Sequence, residues 1–215
     1  GTREVLFNVF EGLVKPDTDG SFIDAVASEH SVSEDGLTYS FVLRDDVKFH
    51  NGKTMTAEDV LYSFETCAAT TTNTTVAAAL SDIQDITAED GVIEITLPGP
   101  NSSFLSTVSS VSIVPSDYAD QASAPVGTGP YKFASYVPQD SVVFLRNEDY
   151  YGEVPQIEKV TCRIFDDGNA LFTALDAGAL DLAYQLTIDQ VNSLTNGYDI
   201  LEGEMNLVQA LYLNN

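Results

Sequence analysis

Carboxylates dominate the side chains that could do chemistry: 33 Asp and Glu stand against nine Lys and Arg, with two histidines and two cysteines. Acid pairs such as Asp45-Asp46 and Asp166-Asp167 could serve as general acid and base, if one were held protonated and the other ionised at a set separation. Adjacent acids in polar stretches are more often turn residues. His30 and His50 are the available bases, but no Ser or Cys stands in a nucleophile elbow, so no nucleophile–base pair can be assembled. His50 adjoins Asn51-Gly52, where a structural hydrogen bond explains it better than catalysis. Asp17-Thr18-Asp19-Gly20 opens like a calcium loop, yet Ser21-Phe22-Ile23-Asp24 follow without the completing Glu, which favours a surface turn. Gly127-Thr128-Gly129 invites a phosphate-loop reading. No Lys-Ser/Thr follows and Pro130 removes an N–H donor, so a structural turn is the better reading. Cys67 and Cys162 lie 95 positions apart with no metal-spaced partner. Two small buried thiols are favoured, with a disulfide the alternative. The pattern calls for no catalytic residue, no metal and no cofactor.

The formal charge of −24 repels phosphate backbones and anionic membrane surfaces, which removes nucleic acid as a partner. It favours solubility outside a cell, or tolerance of salt. Capture of cationic solutes has little local support, because the acids are spread along the chain. No run approaches the ~18 apolar residues of a membrane span. With 44% hydrophobic residues, 215 residues can form one large domain or two small ones.

The elements that would position these residues are legible from periodicity. Leu37, Tyr39, Phe41 and Leu43 alternate with Thr38, Ser40 and Arg44 as a half-buried strand, and Val47 and Phe49 repeat the period as a second strand. Asn51-Gly52 supplies a tight turn. Thr56 is an N-cap with Asp59 three residues on, and Ala57, Val60, Leu61, Phe64 and Cys67/Ala68 follow at helical spacing. Thr70–Thr75 reads as a loop after that helix. Ile83–Leu97 reads as a hairpin about Asp90-Gly91, Pro98-Gly99-Pro100 ends it, and Ser102 or Ser103 caps a short helix at Phe104–Val108. Ile157–Phe165 alternates as a strand, and Asn169–Ala177 reads as a helix stopped by Gly178.

The wording from Ser33-Glu34-Asp35-Gly36-Leu37-Thr38-Tyr39 through Phe49-His50-Asn51-Gly52 to Thr56-Ala57-Glu58-Asp59-Val60-Leu61-Tyr62-Ser63 resembles the signature of the family 5 extracellular solute-binding proteins of ABC importers. Further stretches are similar to that family. They are Phe10-Glu11-Gly12-Leu13, matching a helix end and turn; Pro125-Val126-Gly127-Thr128-Gly129-Pro130-Tyr131-Lys132; Leu145-Arg146-Asn147-Glu148-Asp149-Tyr150-Tyr151-Gly152, with Tyr for the family's Trp; Leu175–Ala183; and Leu213-Asn214-Asn215. The resemblance covers nearly all of the chain but less than half of a typical family chain, so an N-terminal strand and the whole second lobe are expected to be missing.

The resemblance implies an α/β fold, an α+β mixed sheet of the type II periplasmic-binding-protein kind, forming a first lobe with an inserted subdomain. Residues 1–10 and 111–215 would belong to the lobe and 11–110 to the subdomain. It implies the substrate-binding component of an importer that captures peptides and delivers them to permease subunits in the extracytoplasmic space. Nickel, haem or an oligosaccharide are the alternative solutes, and a carboxylate-dependent hydrolase is the alternative of another class. Ligand contacts are expected at Thr71, Thr72 and Asn73 after the first helix, at Gly127, Thr128 and Gly129 at the inter-lobe hinge, and at Gln209 and Tyr212 on the last strand. The opening Gly1-Thr2-Arg3-Glu4 is not a signal peptide, which for a secreted receptor points to a trimmed start. Lipid anchoring would lie outside this chain. With half a cleft, these 215 residues are expected to bind weakly or not at all.

Overall fold

A computed structural model describes residues 8–70, 73–184, 186–194 and 197–201. The chain divides into two compact units, one ending at Arg163 and one beginning at Ile164.

The first unit is built on three antiparallel sheets. Strands β1 (Val14–Pro16) and β2 (Phe22–Asp24) form a short hairpin. The Asp17–Gly20 turn joins them, closed by the Asp17 N–H on the Ser21 carbonyl (2.8 Å), with Gly20 at φ +87°. The second sheet has the order β3-β4-β6-β5, from Ala27–Val32, Thr38–Leu43, Val92–Thr96 and Asp85–Glu89. Alternation decides its faces: Tyr39 and Phe41 on β4 pair with Ile95 and Ile93 on β6, and all four are buried. The β5–β6 hairpin turns at Asp90-Gly91 with φ of +48° and +79°, as the sequence predicts. The expected second strand at Val47 and Phe49 is not one. Both side chains are buried, but Lys48 and Thr54 make only an isolated bridge, because the chain doubles back at Gly52 (φ +87°).

Helix α1 (Ala57–Ala68) lays Val60 and Phe64 into the core, and Phe104 on α3 (Phe104–Val108) packs 4.9 Å from Tyr39. Together with Leu80, Val111 and Ile113 these side chains close one continuous core over the second sheet. Each such burial contributes roughly 1.5–3 kcal/mol. Within the threonine tract, helix α2 (Thr74–Ser81) begins where a longer loop was expected. Asn73 caps it, accepting from the Val76 N–H at 3.4 Å, and Val76-Ala77-Ala78-Ala79-Leu80 sustains it. At α3 the cap position is Ser103, but the side-chain bond comes from Asn101, whose Oδ1 accepts from the Ser103 N–H (3.0 Å). The Phe10–Val14 stretch leads into β1; the helix expected before it would fall on residues outside those described. The third sheet, β7-β8-β9, runs Tyr131–Val137, Ser141–Arg146 and Lys159–Arg163.

The second unit holds α4 (Gly168–Asp176) and α5 (Ile188–Ser193). Asp167 caps α4 through the N–H groups of Asn169 and Ala170, and Gly178 follows its end at φ +70°. Cys67 and Cys162 are free thiols, each partly rather than fully buried.

Candidate functional site

Gly127-Thr128-Gly129 is held by three surrounding segments. Phe49 is buried and opens a turn closed by the Gly52 N–H on its carbonyl (2.8 Å), and the imidazole of His50, the next residue, meets the glycines. The His50 backbone N–H donates to the Gly127 carbonyl (2.9 Å). Its ring accepts from the Gly127 N–H at Nδ1 (3.3 Å) and meets the Gly129 carbonyl at Nε2 (2.9 Å). Since an N–H can only donate and a carbonyl only accept, these partners assign a neutral ring protonated at Nε2. Burial pushes the His50 pKa down to about 4; the Gly129 carbonyl works against this, and the nearby Lys132 charge adds to it.

Asn147, itself buried, donates its Nδ2–H to the same Gly129 carbonyl (3.0 Å) and its backbone N–H to Pro130 O (2.8 Å). From the other side, the Gly129 and Tyr131 N–H groups donate to the Val9 and Asn8 carbonyls, each at 3.0 Å. The approach leaves no room for side chains: a Cβ on Gly127 would lie 2.1 Å from Val9 O, and one on Gly129 would lie 2.3 Å from Asn8 O. The Gly127 and Gly129 N–H groups are therefore both spent on the protein itself, which removes the phosphate-cradle reading. Thr128 is fully buried, and its hydroxyl has no hydrogen-bond partner among the described residues.

Two other polar knots brace the first unit. The nearly buried Glu11 carboxylate accepts from Tyr150 (2.8 Å), Tyr151 (2.6 Å) and Lys15 (3.3 Å), and the Arg44 guanidinium lies 5.2 Å from the Tyr151 ring centre. Burial and the Glu11 charge push both phenols up, so they stay protonated donors. Asp59 is fully buried at the start of α1. Its carboxylate accepts from Lys53 Nζ (2.9 Å), the Ser116 N–H and hydroxyl (2.8 Å each), and the Thr56 N–H (3.0 Å) and hydroxyl (2.8 Å). Burial raises its pKa, but these donors outweigh it and hold the group down at about 2.

Of the expected contact residues, Gly127, Thr128 and Gly129 thus stand together in this clamp, whereas Asn73 is employed as the α2 cap. Thr71, Thr72, Gln209 and Tyr212 lie outside the described residues. Sequence reasoning did not single out Glu11 or Asn147. Glu11 meets its tyrosines across 139 and 140 positions, a pairing that no local spacing reveals. Chemically, the site is a scaffold: both His50 nitrogens are occupied, and the Asp59 carboxylate is saturated with donors. Among the described residues no three His, Cys, Asp or Glu could hold a metal ion together.

This architecture is that of the type II periplasmic binding proteins. The solved ABC transporter-associated periplasmic binding protein DppA of Helicobacter pylori, in complex with the peptide STSA, superposes with a TM-score of 0.82. The match has 28% identity and covers 90% of this chain and 44% of that one. The family model for bacterial extracellular solute-binding proteins, family 5, matches residues 21–215, and the chain belongs to that family. It is 34% identical to the nickel-binding periplasmic protein of Escherichia coli, over 82% of this chain and 36% of that protein. A Brucella ovis protein named as a candidate ABC transporter peptide-binding protein is 31% identical, over 97% of this chain and 42% of that protein. The chain therefore spans less than half the length of these relatives.

Proposed function

We propose that this chain forms part of the ligand cleft of an extracytoplasmic receptor that captures peptides and passes them to the permease subunits of an ABC importer. The observation that carries the reading is the 0.82 TM-score match to a binding protein holding a peptide. In this reading the Gly127–Gly129 clamp is the lobe's side of the hinge, Thr71, Thr72, Gln209 and Tyr212 face the ligand, and Asn73 serves as the α2 cap. Residues 11–110 are the inserted subdomain, flanked by lobe residues 1–10 and 111–215. Ligand stabilises a closed state, and the protein releases its cargo unchanged and is no enzyme. The spent imidazole of His50 and the saturated Asp59 are consistent with that.

The E. coli relative supports a second reading, in which the cargo is nickel. The test is mass spectrometry, after gentle denaturation, of what co-purifies with the full-length gene product. A ladder of short peptides is expected. A single metal chelate, haem or sugar would replace the peptide while leaving the receptor. Turnover of an added peptide would overturn the receptor reading itself.

A further inference from the structure

Charge compensation within the protein is scarce. Four carboxylates, Glu29, Asp85, Glu89 and Glu94, lie exposed on the outer face of the β3-β4-β6-β5 sheet, and none of its four strands contains a Lys or Arg. The register sets Glu94 opposite Thr87 on β5, which makes Asp85 and Glu89 its two diagonal neighbours. Diagonal side chains on a sheet are separated by roughly 7–8 Å. Among the described residues the only side-chain hydrogen bond to Glu94 comes from the Ser40 hydroxyl (3.2 Å). The helices repeat the pattern: among the described residues, none of the five carries a basic residue in its last turn, where a cation would offset the carbonyl end of the dipole. The cations that exist are largely committed. Lys53, Lys15, Lys132 and Arg146 are in ion pairs, and Arg44 lies over Tyr151.

We infer that this protein folds against its own negative charge by drawing on dissolved cations, and that it works in, and needs, concentrated salt. A net charge of −24 is unbalanced throughout the chain, so the compensation is an ionic atmosphere and not a bound ion at one site. The length scale fits. Screening acts over ~10 Å at ~0.1 M salt and over ~3 Å at ~1 M, so diagonal carboxylates repel at the first concentration and scarcely at the second. The inference holds for any cargo and does not rest on the peptide reading.

The test is thermal unfolding of the full-length gene product, followed by circular dichroism across a sodium chloride series. The melting temperature is expected to rise on the order of 10 °C between ~0.1 M and ~1 M salt. Guanidinium chloride at ~0.2 M should raise it too, because it is a salt, while urea at that concentration lowers it. The Asp85→Asn/Glu89→Gln/Glu94→Gln variant should melt higher than the parent at low salt and gain less from added salt. A melting temperature that is flat across the series, or no cooperative transition at any salt concentration, overturns the inference. A salt gain in the triple variant equal to the parent's overturns the role given to the sheet face.

Discussion

Acid should loosen the Gly127–Gly129 clamp before it reaches the buried carboxylate of Asp59. His50 is neutral in the fold with a pKa of about 4, against an ordinary value of 6.5. The unfolded chain therefore takes up a proton that the folded chain refuses, and stability falls as pH drops through that interval. It is fully present above pH 6.5 and lost by about pH 4. At 1.36 kcal/mol per pKa unit the interval is worth about 3 kcal/mol, an upper figure because the ring is not wholly excluded from water. The physical event is loss of the Nδ1 lone pair: a protonated ring turns a donor toward the Gly127 N–H and strands it. Asp59 acts below this window: held down at about 2 in the fold, it gives up its stabilisation only as pH falls from its ordinary 3.8 toward that value. The assay is urea unfolding of the parent and of His50→Gln at steps from neutral pH to pH ~4.5, above the bulk of carboxylate titration. The gap between the two curves should shrink steadily as pH falls, while side chains common to both cancel. Curves that stay parallel, or an imidazole that titrates near 6.5 by NMR, would refute the reasoning.

Gly129→Ala should cost at least ~2 kcal/mol by thermal or urea unfolding, because the new methyl lands against a backbone carbonyl that cannot rotate away. Gly99→Ala, with nothing within 4 Å of its Cβ, should be close to neutral and serves as the control. Asp59→Asn should cost about 3 kcal/mol, since it removes the charge that pairs Lys53 and weakens five hydrogen bonds at once. An Asp59→Asn variant as stable as the parent would show that the knot contributes only geometry.

Where side-chain period and local turn chemistry decide the structure, the sequence was a good guide. The alternation about Tyr39 and Phe41, the Asp90-Gly91 hairpin, the Thr56–Asp59 helix start and Gly178 after α4 were all legible, because each depends on residues within a few positions. Val47 and Phe49 show the limit. Their spacing repeats a strand's, and both are buried as a strand's inner face would be, yet only one bridge forms. Burial was readable and pairing was not, because pairing depends on what the partner segment can offer. At the candidate site the glycines and His50 were visible as family wording, but the reason for the glycines was hidden. It lies in the Asn8 and Val9 carbonyls, more than a hundred positions upstream.

The three buried polar knots share a logic that bears on the proposed motion. Glu11 ties the entry to β1 to the Tyr150-Tyr151 loop, Asp59 ties α1 to Ser116, and His50 ties the turn before α1 to the segment leading into β7. Each joins segments far apart in the chain through groups largely withdrawn from water. An apolar core alone tolerates small sliding, because dispersion contacts are non-directional, whereas a hydrogen bond weakens steeply once its angle is lost. A receptor lobe that must transmit closure from its hinge to its cleft wall needs the second kind of constraint at the hinge base. In the proposed reading, the Gly129 carbonyl, gripped by both His50 and Asn147, is where that demand falls. His50→Gln and Asn147→Ala should therefore weaken ligand affinity in the full-length receptor even where neither side chain touches the ligand. The loss should show mainly in the dissociation rate, because a loosened base lowers the stability of the closed state more than the chance of encounter.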